Sequence, residues 1–119
     1  MENNPQAKLL RIFIGENDRI GQKPLYEKIV FEAKKWGLSG ATVTRGIMGF
    51  GANTNVQSAK LFEISSDLPL VIEIVDTEEK IREFIQIIEP FFDQIPSGGL
   101  ITIEKAEVIR YKPGKSHRE

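Results

Sequence analysis

Cysteine is missing from this chain of 119 residues. Its absence excludes a disulfide framework, a thiolate metal centre and a cysteine nucleophile. Histidine is almost missing as well: His117 stands alone in the C-terminal tail, with no second imidazole to share a metal or a proton. A dominant charge of one sign is also lacking. Sixteen basic side chains against seventeen acidic ones leave a net charge of −1, so no global field draws the chain onto nucleic acid or an anionic membrane, and any anion site has to be local. No apolar run approaches the roughly 18 residues of a membrane span, and Met1 to Gln6 carries no apolar stretch of the signal-peptide kind. The expectation is a cytoplasmic protein with no direct membrane insertion and no nucleic-acid partner.

What is present suits a water-soluble globule. Hydrophobic residues make up 40% of the chain and charged residues 28%, ordinary values for one domain with one core. The domain is expected over residues 8–112, with flexible termini at 1–7 and 113–119.

The hydrophobic pattern gives six elements. Residues 8–15 hold Leu9, Leu10, Ile12, Phe13 and Ile14 closed by Gly15, a strand signature. A polar loop over 16–23 precedes Pro24, which suits a first helical turn. Leu25, Ile29 and Ala33 then recur at helical spacing up to Gly37, a C-terminal cap. Thr42, Val43 and Thr44 predict a strand over 41–47, and the polar, glycine-containing stretch 49–60 predicts a projecting, mobile loop. Residues 61–64 can resume extended structure, and 70–75 reads as a strand buried on both faces. Asp76 and Glu79 have the spacing of an N-cap and its partner for a second helix carrying Ile81, Phe84, Ile85 and Ile88, which Pro90 should disturb near its end. Gly98 and Gly99 turn the chain into a last strand over 100–111, and the charged tail beyond has nothing apolar to dock it. This order, strand, helix, strand, strand, helix, strand, predicts an α+β protein of the ferredoxin-like βαββαβ plan: an antiparallel sheet with both helices on one face.

The uncovered face of that sheet is apolar too. If Leu10, Ile12 and Ile14 face the helices with Leu70, Ile72 and Ile74, alternation sends Leu9, Phe13, Val71 and Val75 to the other side. Leaving such a patch wet is costly, so self-association is expected.

The motifs that carry chemistry are few. Gly49, Phe50 and Gly51 are able to cradle an anion with backbone N–H groups or to serve loop geometry alone, and the same two readings hold for Gly98 and Gly99. Arg110, Lys112 and Lys115 are phosphate-binding candidates or a solvated end. Glu16 with Asp18, and Glu104 with Glu107, read as solvated acidic faces, since neither pair has an accompanying nucleophile or ligand set. Phe31 and Trp36 read as packing residues of the first helix rather than a base-stacking platform.

Three stretches in one order carry a family resemblance: Gly40-Ala41-Thr42-Val43-Thr44 running to Gly49-Phe50-Gly51, Asp67-Leu68-Pro69 leading into Ile72-Glu73-Ile74-Val75, and Ala106-Glu107-Val108-Ile109-Arg110. Together they resemble the PII signal-transduction family. Leu10-Arg11-Ile12-Phe13-Ile14-Gly15-Glu16 with Pro24-Leu25-Tyr26-Glu27 more closely resembles its PII-like branch, domain of unknown function family 190. The resemblance implies a non-enzymatic homotrimer of ferredoxin-like subunits with sheets facing inward. It further implies an adenine nucleotide in the cleft between subunits, and a loop that docks on a membrane transporter or an enzyme. Carried over by position, it places Gly49 and Gly51 beside the phosphates, Thr42 near the base, Gly98 and Gly99 in a second phosphate-facing loop, and positive charge on Arg110 and Lys112. Ala52, Leu100 and Glu107 stand where the family carries basic residues, and the loop has no tyrosine to modify. A less charged ligand such as a monophosphate nucleotide fits these replacements better than a triphosphate. A trimeric adaptor without ligand, and a small phosphate hydrolase on the same fold, are the competing expectations.

Overall fold

In the computed structural model, which describes residues 1–2, 4, 6–51, 56–58 and 67–112, the period-two alternation of branched residues builds two nine-residue strands, β1 (Ala7–Gly15) and, third in chain order, β3 (Pro69–Thr77). They pair antiparallel along their full length, Ala7 opposite Thr77 and Gly15 opposite Pro69. A shorter β2 (Thr42–Arg45) flanks β3, with Thr42 opposite Glu73, and β4 (Leu100–Lys105) flanks β1, with Phe13 opposite Leu100. The sheet order is therefore β2-β3-β1-β4, all antiparallel. Helices α1 (Leu25–Lys35) and α2 (Glu78–Phe92) lie between β1 and β2 and between β3 and β4 in the chain. This is the ferredoxin-like arrangement expected from the element order.

One core forms between the sheet and the helices. Leu10, Ile12, Ile72 and Ile74 meet Leu25 and Ile29 of α1 and Ile81, Phe84 and Ile88 of α2, all essentially without solvent exposure. Residues at i, i+4 and i+8 of α1, and at i, i+3 and i+7 of α2, make those stripes. Full burial of each such side chain contributes about 1.5–3 kcal/mol.

Several boundaries differ from the sequence expectation. Thr77, not Asp76, caps α2: its Oγ1 accepts from the Lys80 N–H at 3.3 Å. Asp76 is turned inward and buried, accepting from the N–H groups of Ser39 at 2.9 Å and Thr77 at 2.7 Å. Helix α2 passes Pro90 and ends two residues later, where the Pro90 and Phe91 carbonyls accept from the next turn. Strand β4 stops at Lys105 instead of reaching Tyr111, because Ala106 donates to Ala7, the first residue of β1, and no neighbouring strand extends further. The polar loop over 16–23 contains a two-rung hairpin, Arg19–Ile20 with Lys23–Pro24, turned by Gly21 at φ 62°. The loop at 49–60 starts as a ladder too, with Met48 opposite Ser58 and Gly49 opposite Gln57. Its stretches 52–55 and 59–60, the extended structure expected at 61–64 and the tail from 113 lie outside the described residues. Phe31 and Trp36 are not packing residues: they are 61% and 53% exposed, Trp36 held by a 3.2 Å hydrogen bond from Nε1 to Glu32.

Candidate functional site

The two glycine stretches converge on one cavity. It measures about 390 Å³ and opens at the end of the sheet where β1 finishes, with Gly49, Phe50 and Gly51 on one wall and Ser97, Gly99 and Leu100 on the other. Phe13, Gly15, Asp67 and Pro69 also contribute to its lining.

Each wall is fixed by close backbone approach. Gly46 and Gly49 pass over the Pro69 ring, so that a Cβ at either would stand 2.9 or 3.0 Å from Pro69 Cγ, and Gly46 N–H donates to the Pro69 carbonyl at 2.7 Å. Gly99 has φ 68° and lies so tightly on Phe92 that a Cβ would be 2.5 Å from its ring. Gly98, at φ 80°, has open space around it. Positive φ at two consecutive residues is a conformation that glycine adopts without cost. Among the described residues Gly99 N–H makes no backbone hydrogen bond.

Carboxylates brace the floor. Asp18, 7% exposed, accepts on one oxygen from Gly15 N–H at 2.8 Å and from Ser97 Oγ at 2.9 Å. Asp67 accepts from Asn17 N–H at 2.8 Å and covers Gly15, where a Cβ would meet its carboxylate at 2.7 Å. Glu16 pairs with Arg45 at 2.7 Å. Asp18 therefore belongs to the interior and not to a solvated face. The signal in the sequence was the Gly-x-x-Asp spacing after a strand, where a short acidic side chain reaches back to a freed backbone N–H. Asp67, Ser97 and Phe13 had no separate signal as site residues.

The remaining candidates lie elsewhere. Arg110 and Lys112 are exposed on either side of Tyr111, whose N–H donates to Glu2 at 2.8 Å and whose hydroxyl donates to the Ser39 carbonyl at 3.1 Å. Ser39 lines a second cavity of about 300 Å³, with Val30, Lys34 and Ala41, at the opposite end of the sheet. Thr42, next in the chain, is exposed on the uncovered face opposite Glu73. The length of β4, about 17 Å, separates this basic corner from the glycine corner. Among the described residues no lysine or arginine lines the glycine cleft.

The uncovered sheet face joins the two corners. Leu9 with Val75, and Phe13 with Val71 and Leu100, form two apolar rows in register. Between them Arg11 bridges Glu73 at 2.9 Å and Glu104 at 3.2 Å. The hydrogen bond that Arg11 donates to Glu73 and the charge of Glu104 raise the Arg11 pKa above its ordinary value, outweighing desolvation. Phe13 and Leu100 belong both to this face and to the cleft. Among the described residues no group of acidic and histidine side chains has the makings of a metal site, and no helix is long and apolar enough to cross a membrane.

Comparison with known proteins agrees with this architecture. The family model DUF190 (Uncharacterized ACR) matches residues 7–108. A UPF0166 protein of Aquifex aeolicus is 45% identical over 104 residues, covering 87% of this chain and 94% of the relative. The UPF0166 protein MJ1524 of Methanocaldococcus jannaschii is 35% identical over 105 residues, covering 88% and 94%. Among solved structures, CPII of Thiomonas intermedia K12, a nitrogen regulatory PII-like protein bound to ADP, AMP and bicarbonate, superimposes with a TM-score of 0.67 at 19% identity, over 87% of this chain and 89% of that one.

Proposed function

The chain belongs to the DUF190 family and has a PII-like fold, and from that premise we propose that it is a non-enzymatic signalling protein that senses an adenine nucleotide at clefts between the subunits of a homotrimer. The observation that carries the reading is the sharing of Phe13 and Leu100 between the apolar sheet face and the glycine cleft. A subunit seated on that face also walls the cleft. The second observation is the split of the candidate residues: Gly49, Gly51, Gly98 and Gly99 at one end of the sheet, Arg110 and Lys112 beside Tyr111 towards the other, and Thr42 between them, opposite Glu73 midway along β3. Backbone N–H groups alone bind a phosphate weakly, and Arg110 and Lys112, the cations expected to complete the site, lie towards the other end of the sheet within one chain. An adjacent subunit that places its basic corner over the glycine corner supplies them. The PII-like neighbour CPII binds ADP and AMP, and the lack of basic residues at Ala52 and Leu100 favours the nucleotide with fewer phosphates here.

The loop that begins at Gly49 would report occupancy. Ile47, Met48, Phe50 and Val56 at its base are 51–76% exposed, an apolar surface for a partner such as a membrane transporter or an enzyme. The same surface supports the second reading, a trimeric adaptor that docks without ligand.

Subunit mixing tests the proposal. AMP and ADP are titrated calorimetrically into the wild type, Gly51→Glu, Arg110→Ala and an equimolar refolded mixture of the two variants. Each variant alone should lose binding. In random trimers about a quarter of clefts combine an intact glycine corner with an intact basic corner, so the mixture should recover about that fraction of sites. A folded wild-type trimer that binds neither nucleotide would transfer the case to the adaptor. Loss in both variants with no recovery on mixing would place the site within one subunit.

A further inference from the structure

Asp18 is one of two charged side chains buried among the described residues, and its bonds join three segments that are distant in the chain. Its carboxylate holds the end of β1 through Gly15 N–H and the turn before β4 through Ser97 Oγ. Its backbone carbonyl accepts from Leu25 N–H, the first residue of α1, at 2.8 Å. Both side-chain donors share Oδ2 at 2.8 and 2.9 Å, so the position of Ser97 is referred to the end of β1 through a single buried atom. Phe92 presses on Gly99 from the other side. The Ser97-Gly98-Gly99 turn is thereby held at both ends, although its two glycines are intrinsically the freest residues in the cleft.

We infer that Asp18 is a positioning residue: it fixes this turn in the conformation that presents its backbone to an anionic ligand, without touching the ligand itself. The inference rests on the reading of the cleft as the ligand site. Hydrogen bonds to a charged acceptor are the stronger kind. Losing the one from Ser97 should let the turn sample other glycine conformations, and the ligand would then have to order it on binding.

Ser97→Ala severs that bond and leaves Gly15 bonded to Asp18, so the fold should survive. Amide hydrogen exchange of residues 98–100 in the ligand-free protein should rise about tenfold in this variant, with β1 and β3 amides unchanged. AMP affinity, measured calorimetrically, should fall about fivefold. Asp18→Asn, which keeps a neutral oxygen able to accept, should produce the same pattern at a smaller amplitude and so act as the conservative rescue. Ser39→Ala, which alters the corresponding turn at the opposite corner, should leave exchange at 98–100 at the wild-type rate. Unchanged exchange in Ser97→Ala overturns the inference whether or not any nucleotide binds. Faster exchange with undiminished AMP affinity also overturns it, by showing that the clamp does not matter to the ligand. If the wild type binds no nucleotide, the sensor reading fails by itself, and exchange at 98–100 still decides whether Asp18 fixes the turn.

Discussion

The glycine corner and the basic corner are built on the same plan and finished differently. In the first, Asp18 stands in the connection from β1 to α1 and receives the serine hydroxyl of the turn that follows α2. In the second, Asp76 stands at the end of β3, two residues before α2, and receives the N–H of Ser39, in the turn that follows α1. Each half of the βαββαβ chain thus uses a buried aspartate to hold the turn of the other half. The finish is what differs. The turn after α2 packs its Gly99 hard against Phe92, and the turn after α1 leaves Gly37, at φ 77°, with only the Lys80 ammonium at 3.8 Å from where a Cβ would stand. One corner is a rigid cradle of backbone. The other is looser and carries the cations, and the proposed nucleotide site would need a corner of each kind.

The largest effect that would sharpen this contrast comes from the glycines. Gly99→Ala adds a left-handed strain of about 1–2 kcal/mol to a clash of about 1–3 kcal/mol, so urea denaturation should show a loss of about 3 kcal/mol. Gly37→Ala should cost only the strain, about 1 kcal/mol. Equal losses would mean that the two turns are equally tight.

Next in size is Asp76→Ala, which strands the Ser39 and Thr77 N–H donors and should cost about 2 kcal/mol in the same assay. Hydrogen exchange at 98–100 should stay at the wild-type rate if the corners are independent, and an increase there would join them into one unit.

A gain is expected from Leu100→Lys, which gives the glycine corner a cation of its own. ATP should bind about tenfold tighter than to the wild type, one charge-assisted hydrogen bond's worth, with a smaller change for AMP. Equal tightening of both would indicate that the side chain does not reach the outer phosphates.

The smallest effect concerns the start of α2. Arg82, hydrogen-bonded to Glu78 at 2.9 Å, holds that carboxyl below its usual range. A folded-state pKa below the unfolded one stabilises above the ordinary carboxylate range, and the contribution is lost as pH falls through the folded value. The pair is at the surface, so the part of the acid-induced drop in melting temperature that Arg82→Ala removes should be no more than about 2 °C between pH 5 and pH 3.

The fold was legible because strand alternation at Leu10, Ile12 and Ile14 and the helical stripes of Leu25, Ile29, Ile81 and Phe84 are strong local signals of one-sided burial. That Gly49 and Gly51 share a cavity with Gly99 was not legible in the glycines themselves, which left turn geometry open, and was suggested only by a resemblance spread over three stretches. Two further kinds of feature were not legible. The bonds that Asp18 and Asp76 accept from Ser97 and Ser39 join residues 79 and 37 apart in the chain, which no local window contains. The early end of β4 depends on where β1 begins. Both are decided by tertiary neighbours, and propensity is silent on them.

The Arg11 row has a final consequence for how copies of this chain would fit together. Two purely apolar sheet faces slide over one another with little change in energy. Here a guanidinium and two carboxylates divide the apolar surface in half. Any seating that leaves them without compensating partners pays their desolvation. In the proposed trimer the row would therefore act as an alignment mark, penalising sideways offsets of the subunits, so that the two unlike corners would meet at the same height in every cleft.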